Sequence, residues 1–291
     1  MIRGDSSLVP PEQITNIYTS FMDVFLEYVA VLYIWLRKVL TNPEYIVFHR
    51  LFESRNTSQY TKFNRCIRIL EFLTNCNENF GIDIFEQQDP HEFIMLLFQN
   101  LPPLFPQTFT FSLTSQFTCC ALVQSRMESP DYLQLQFPSE ASRSSFPLKE
   151  LISNYFNATR ACSVCKINKE PKSFTTLPQI LCCQILRFSQ IEPKQPKQTV
   201  PQFKKNHSVV VPAKTLSAKG DLHYQGPEND ATYELKSFVV HHGNNISSGH
   251  YISYILVNGT WFCCDDECAS TLDTYVGGEP NPYLLFYVKV S

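Results

Sequence analysis

The stretch NISSGHYISYILVNGTWFCCDD, Asn245 to Asp266, decides how this chain is read. Two runs rich in β-branched and aromatic residues, Tyr251–Val257 and Thr260–Cys264, flank Asn258-Gly259. Asn-Gly between such runs predicts a two-residue hairpin turn of type I′, whose central residues both take positive φ. That turn sets Val257 opposite Thr260, Ile252 opposite Asp265 and His250 opposite Glu267. Side chains alternate between faces with period two, so His250, Ile252 and Asp265 share a face and Asp266 points to the other. Asp265 is then a diagonal neighbour of His250, across a backbone gap of about 7–8 Å that polar side chains bridge. A carboxylate there can hold one imidazole nitrogen and leave the other as a base. A turn longer by one residue would hand the role to Asp266.

The rest of the chain bounds what such a pair can serve. At 291 residues there is enough length for a large core. A net charge of −3 argues against a general binder of nucleic acid or anionic membrane. The apolar run YVAVLYIWL (Tyr28–Leu36) is too short to cross a bilayer and follows Asp23 and Glu27, which predicts a buried helix. The opening MIRGDSSLVPP has no apolar signal core. With eleven cysteines, that points to reduced thiols in the cytoplasm or nucleus.

Periodicity divides the chain. Ile14–Leu40 and Gln59–Leu73 carry helical patterns, the first stopped by Asn42-Pro43. DPHEFIMLLFQNL has Asp89 as N-cap, Pro90 in the first helical position and Glu92 at the third, a capping box, and Pro102-Pro103 ends the helix. After that come strand-like runs: TFTFSLTSQFTCC, YLQLQF, ILCCQILRF, TYELKSFVVHH, the hairpin and YLLFYVKV, with one helix, PLKELISNYF, among them. SQIEPKQPKQTVPQ and AKTLSAKGDLHYQGPEND read as polar loops. Helices first and strands later predict an α+β fold, a helical lobe packed on a sheet lobe with a cleft between.

Four segments in this order resemble the ubiquitin-specific proteases, papain-like cysteine deubiquitinases. EQQDPHEF (Glu86–Phe93) is similar to their QQD box, and LPQILCCQILRF (Leu177–Phe188) to a strand ending in Lys-Arg-Phe. YELKSFVVHHGNNISSGHYISYI is similar to their histidine box, and WFCCDD with YLLFYVK to their closing strands, so the resemblance covers roughly residues 80 to 290. It implies one papain-like domain over 1–291: a helical thumb over about 12–105, then a β-sheet palm and β fingers over about 106–291. The partner implied is ubiquitin or a ubiquitin-like protein, held by fingers and palm, its tail in the thumb–palm cleft. His250 would be the general base and Asp265 its orienting carboxylate. Gln87, Asp89, Glu92, His241 and Tyr251 fall where the family meets ubiquitin, and carboxylates there suit the arginines of its tail.

The family nucleophile is a cysteine opening the first long helix, and this chain has no cysteine before Cys66. QITNIYTSFMDVFLEYV (Gln13–Val29) is the local match and puts Asn16 in its place, while Pro11 falls near the oxyanion asparagine. An amide is no nucleophile at neutral pH. The expectation is therefore a ubiquitin-recognising domain without catalysis; the alternative is an active hydrolase whose Cys box lies upstream of this chain. Catalysis of that kind needs no cofactor. A structural zinc is a separate expectation: Cys162 and Cys165 have knuckle spacing, with Cys119 and Cys120 as partners. Adjacent strand residues point to opposite faces, which would leave three good thiolate ligands, one short of a closed site; the alternative is a decayed knuckle held by packing.

Overall fold

A computed structural model of the chain describes residues 89–100, 108–119, 122–138, 143–162, 166–191, 202–227, 230–245, 248–257, 259–265, 268–272 and 281–290. Ile14–Leu40 and Gln59–Leu73, and with them Asn16 and Gln87, lie outside the described residues. Among the described residues no helix is long and apolar enough to cross a membrane.

Helix α1 (Pro90–Asn100) is followed by β1 (Ser112–Cys119), β2 (Leu122–Glu128), β3 (Leu133–Leu135), β4 (Ser145–Pro147) and helix α2 (Leu148–Phe156). Next come β5 (Thr159–Cys162), β6 (Lys166–Lys169), β7 (Lys172–Thr176), β8 (Ile180–Ile185), β9 (Phe188–Ile191) and β10 (Gln202–Lys205). Two short strands, β11 (Val209–Val211) and β12 (Thr215–Ser217), lead to β13 (Thr232–Asn245), β14 (Ser248–Val257), β15 (Thr260–Asp265), β16 (Cys268–Leu272) and β17 (Pro282–Lys289).

The main sheet has eight strands in the order β16-β15-β14-β13-β17-β8-β3, with β12 also on β13. β3 runs parallel to β8; the neighbouring β17–β8 and β13–β17 pairs are antiparallel. Its central strands are buried on both faces, β8 throughout and β17 over its first six residues. Strands covered on both sides carry unbroken apolar runs rather than alternation, which is how ILCCQI and PYLLFY read. α2 lays Leu148, Leu151, Ile152 and Phe156 into the core, the spacing of one helical stripe. Asn157 closes that helix, its backbone N–H and its side-chain amide both donating to Ser153 O at 2.9 Å. A second sheet, β2-β1-β7, and the β5–β6 hairpin extend from this core.

Both segments expected as polar loops contain paired strands. β9 and β10 pair across SQIEPKQPKQTVPQ, Ile191 against Gln202, so its polar middle connects a hairpin. Within the second, Thr215–Ser217 pairs with β13. Three-residue strands are too short to show an alternation by themselves, which is why β12 escaped the sequence pattern.

Arg187, in the LRF of Leu177–Phe188, joins these parts. It is 1% exposed. Its Nε donates to Pro282 O at 2.9 Å, and Nη1 to Asn206 O at 3.1 Å and Ser208 O at 3.0 Å. The guanidinium also lies over the Phe137 ring, 5.6 Å from its centroid. Burial pulls its pKa down to about 10, so it stays charged at neutral pH. Carbonyl dipoles from β17 and from the β10–β11 connection solvate it in place of a carboxylate. Arg187→Met strands these acceptors and should cost about 3–5 kcal/mol, read as a lower urea midpoint. Arg187→Lys, which keeps the charge but not the fork, should recover only part of the loss.

Candidate active site

The hairpin forms as the Asn-Gly turn requires. Val257 pairs with Thr260 and Ser253 with Cys264, and Gly259 has φ +83°. His250 Nε2 meets Asp265 Oδ1 at 2.5 Å. The two side chains are 41% and 47% exposed, so the pair lies at the molecular surface. With Nε2 on the carboxylate, Nδ1 is the nitrogen left to exchange a proton with a reacting group. β15 ends at Asp265, which pairs with Cys268 of the antiparallel β16. Glu267, expected opposite His250, lies outside the described residues.

Behind His250 the sheet is built around a different histidine. His241 pairs with Tyr251 across β13 and β14, and their ring centroids are 4.7 Å apart. It is 2% exposed. His241, expected among the residues that meet a partner, is packed against Tyr251 within the sheet. A Cβ at Gly249 would come within 2.2 Å of His241 Nε2 and 2.5 Å of His242 O. Glycine is thus required beside His250 so that the buried ring can fill the space. Lys205, 8% exposed, reaches the same spot from β10. Its Nζ donates to His241 O at 2.6 Å and Gly243 O at 2.7 Å, and lies 3.5 Å from His241 Nδ1. An ammonium only donates, so Nδ1 accepts and the proton of the neutral ring is on Nε2. Burial, then Lys205, then His242 depress the His241 pKa to about 4.

The start of α1 meets the same sheet. Asp89 Oδ1 accepts the backbone N–H groups of His91 at 2.7 Å and Glu92 at 3.3 Å, the capping role its position implied. Its Oδ2 accepts the hydroxyls of Tyr283 at 2.8 Å and Tyr251 at 3.3 Å. The oxygen expected to be spare for a partner is therefore engaged by the sheet. Burial and then the Asp89 charge raise the pKa of both tyrosines, which keeps them neutral donors. Glu92 is exposed one turn away. Tyr283 was not singled out from sequence; as one aromatic in an apolar run it carries no signal apart from its partner.

Among the described side chains no thiol stands beside His250 as a nucleophile. Cys182 and Cys183 are buried, and burial raises both above the ordinary thiol range. Cys263 is half-buried and also raised, chiefly by burial. It pairs with Tyr254, four residues along β14 from His250 and about 13 Å away at strand rise. The side chain of Cys268 and the whole of Cys120 and Cys165 lie outside the description. β1 ends at Cys119, and Cys119 pairs with Leu122. Among the described residues no group of three or more His, Cys, Asp or Glu is placed to hold a metal.

The family model for ubiquitin carboxyl-terminal hydrolases matches residues 14–287, nearly the whole chain. The chain belongs to this family. Ubiquitin carboxyl-terminal hydrolase 3 from Mus musculus is 33% identical over 136 residues, and that from Homo sapiens 33% over 135. Each match takes in 44% of this chain and only 24% of the relative, about a quarter of its length. The Ubp8 deubiquitinase module of SAGA, solved with ubiquitin aldehyde, shares the fold at TM-score 0.72 and 20% identity, over 95% of this chain and 68% of that one. The same module with monoubiquitin gives 0.74 at 19% identity, over 95% and 67%. The α+β architecture is thus the ubiquitin-specific-protease fold, the histidine-box hairpin forming one side of its main sheet.

The buried His241 of this family member makes stability depend on pH. Its imidazole titrates near 6.5 when unfolded and about 4 when folded, so the unfolded chain binds the proton more readily between those values. The stabilising contribution, up to about 3 kcal/mol, is present above about pH 6.5 and lost as pH falls through about 4. Urea titrations from pH 7 to pH 4 should show this decline, and His241→Gln should flatten it.

Proposed function

We propose that this chain recognises ubiquitin with the deubiquitinase fold but, as it stands, does not hydrolyse the isopeptide bond. The observation that carries this reading is a base pair without its thiol. His250 is held by Asp265 at 2.5 Å with Nδ1 left to act, yet no cysteine precedes Cys66. Described thiols elsewhere are raised rather than activated, and a thiolate is the form that attacks. Ubiquitin as partner is supported by related modules solved with ubiquitin aldehyde and monoubiquitin bound. The carboxylates of Asp89 and Glu92 at the α1 start suit a basic tail. The cytoplasm or nucleus, where thiols stay reduced, suits this chemistry.

The intact His250–Asp265 geometry favours a second reading, in which a thiol supplied by preceding sequence completes the site. His250 would take the thiol proton through Nδ1, the thiolate would add to the carbonyl of the ubiquitin C-terminus, and the imidazolium would protonate the departing lysine amine. Water would then release the acyl group by the same route. Asp265 would hold the ring and stabilise its charged form throughout. The chain from Met1 should bind ubiquitin in titration calorimetry, should not release a fluorophore from a ubiquitin C-terminal amide, and should not be labelled by a vinyl-type ubiquitin probe. Labelling abolished by one Cys→Ala change would establish the hydrolase reading and name the nucleophile.

A structural zinc in the fingers is part of the proposal. Cys119 ends β1 where it pairs with the start of β2, and Cys162 ends β5 where it pairs with Lys166, the start of β6. Cys119 and Cys162 therefore each lie at a hairpin end, and β6 runs beside β1. Cys119, Cys120, Cys162 and Cys165 would make a four-thiolate set, the donor type of closed structural sites. Protein prepared without chelator should carry about one zinc per chain by elemental analysis. Cys165→Ser should release it and lower the melting temperature.

A further inference from the structure

The polar contacts of Asp89 continue well beyond the helix it caps. Gln134 on β3 donates from Nε2 to Gln184 Oε1 at 3.2 Å. Gln184 on β8 donates from Nε2 to the Tyr283 hydroxyl on β17 at 3.1 Å. That hydroxyl meets Asp89 Oδ2 at 2.8 Å. Gln134 and Gln184 are register partners, and Leu284 is the partner of Gln184, so the chain of bonds crosses three adjacent strands almost directly. Gln184 is 6% exposed and Tyr283 5%.

The direction of this relay follows from donor chemistry. An ionised carboxylate only accepts, so the single Tyr283 proton goes to Asp89. The same hydroxyl must then accept from Gln184, which puts the Gln184 Nε2 toward Tyr283 and its Oε1 toward Gln134. Neither orientation of that amide is interchangeable with the other. At its outer end, Gln134 lines a groove of about 800 Å³ together with Tyr132, Tyr155, Glu128 and Lys172. Tyr132 also meets the His91 ring of α1 edge-on, at 4.5 Å between centroids. Groove and helix start are thus joined by the relay and by an aromatic contact.

The Asp89 carboxylate has four described donors, two per oxygen, which fills its acceptor capacity. A guanidinium arriving at Oδ2 must displace one of them. The Tyr251 bond, at 3.3 Å, is the longer and weaker of the two on that oxygen; the 2.8 Å bond from Tyr283 persists. We propose that Tyr283 is a positioning residue, held by Gln184, that fixes Asp89 while Tyr251 yields its place to a basic side chain of the ubiquitin tail. This rests on the reading that the chain binds ubiquitin.

The test compares Tyr283→Phe with the unaltered chain, using intact ubiquitin and ubiquitin lacking its C-terminal tail. Loss of one charge-assisted hydrogen bond should weaken binding of intact ubiquitin by about tenfold and leave the truncated form unchanged. Equal weakening of both forms, or none of either, would overturn the proposal. Should Tyr283→Phe fail to fold, Gln184→Met removes only the donor into Tyr283 and should give a smaller loss confined to intact ubiquitin; an equal loss on both forms overturns it. If the unaltered chain binds neither form, the ubiquitin reading falls and hydrogen exchange decides the positioning claim. The His91 and Glu92 amides should then exchange faster in Tyr283→Phe while the middle of α1 does not change, and unchanged exchange at those two amides refutes it.

Discussion

A buried imidazole against a bare α-carbon holds the histidine-box hairpin in shape. His241 fills the space that any side chain at residue 249 would need. Its backbone carbonyl is gripped by Lys205. Everything the site uses is set out from this contact. Tyr251 packs at a tilt against His241 and reaches Asp89, and His250 follows Gly249 and reaches Asp265. Dense packing of this kind transmits small displacements, because interiors have little free volume to absorb them.

Lys205 and Arg187, the two buried cations among the described residues, extend the same logic. Each is stabilised by main-chain carbonyls of segments that need to be held in place: the end of β13 by Lys205, the β17 start by Arg187. Main-chain acceptors are insensitive to substitution, so these cations tie backbone to backbone whatever side chains surround them. The dependence shows in their pKa values, both drawn down first by burial and, for Lys205, further by Arg187. Burial is the cost of the arrangement, and multiple carbonyl bonds offset it.

Local chemistry explains which features were legible beforehand. Asn258-Gly259 between alternating strands is a self-contained signal, and from it the His250–Asp265 pairing follows by parity alone. Asp89-Pro90 likewise marks a helix start within four residues. By contrast, β16 is invisible because the reversal after Asp265 has no glycine or proline to announce it. β9 and β10 are separated by a polar run, and only their cross-strand partnership reveals them as a hairpin. The buried place of His241 depends on Lys205, 36 residues away in sequence, and the Tyr283–Asp89 bond spans 194. Contacts of that range leave no periodic trace in either segment.

The position of β17 has a consequence for how the protein comes into being. It lies between β13 and β8 in the middle of the main sheet, yet follows every other described strand along the chain. During synthesis, β8 with β3 on one side and the histidine-box hairpin on the other emerge as two half-sheets with facing open edges. They cannot close on one another until β17 leaves the ribosome and inserts between them. Until that moment both edges offer unpaired backbone groups to other chains. The nascent polypeptide is therefore most in need of chaperone cover in the interval before β17 emerges.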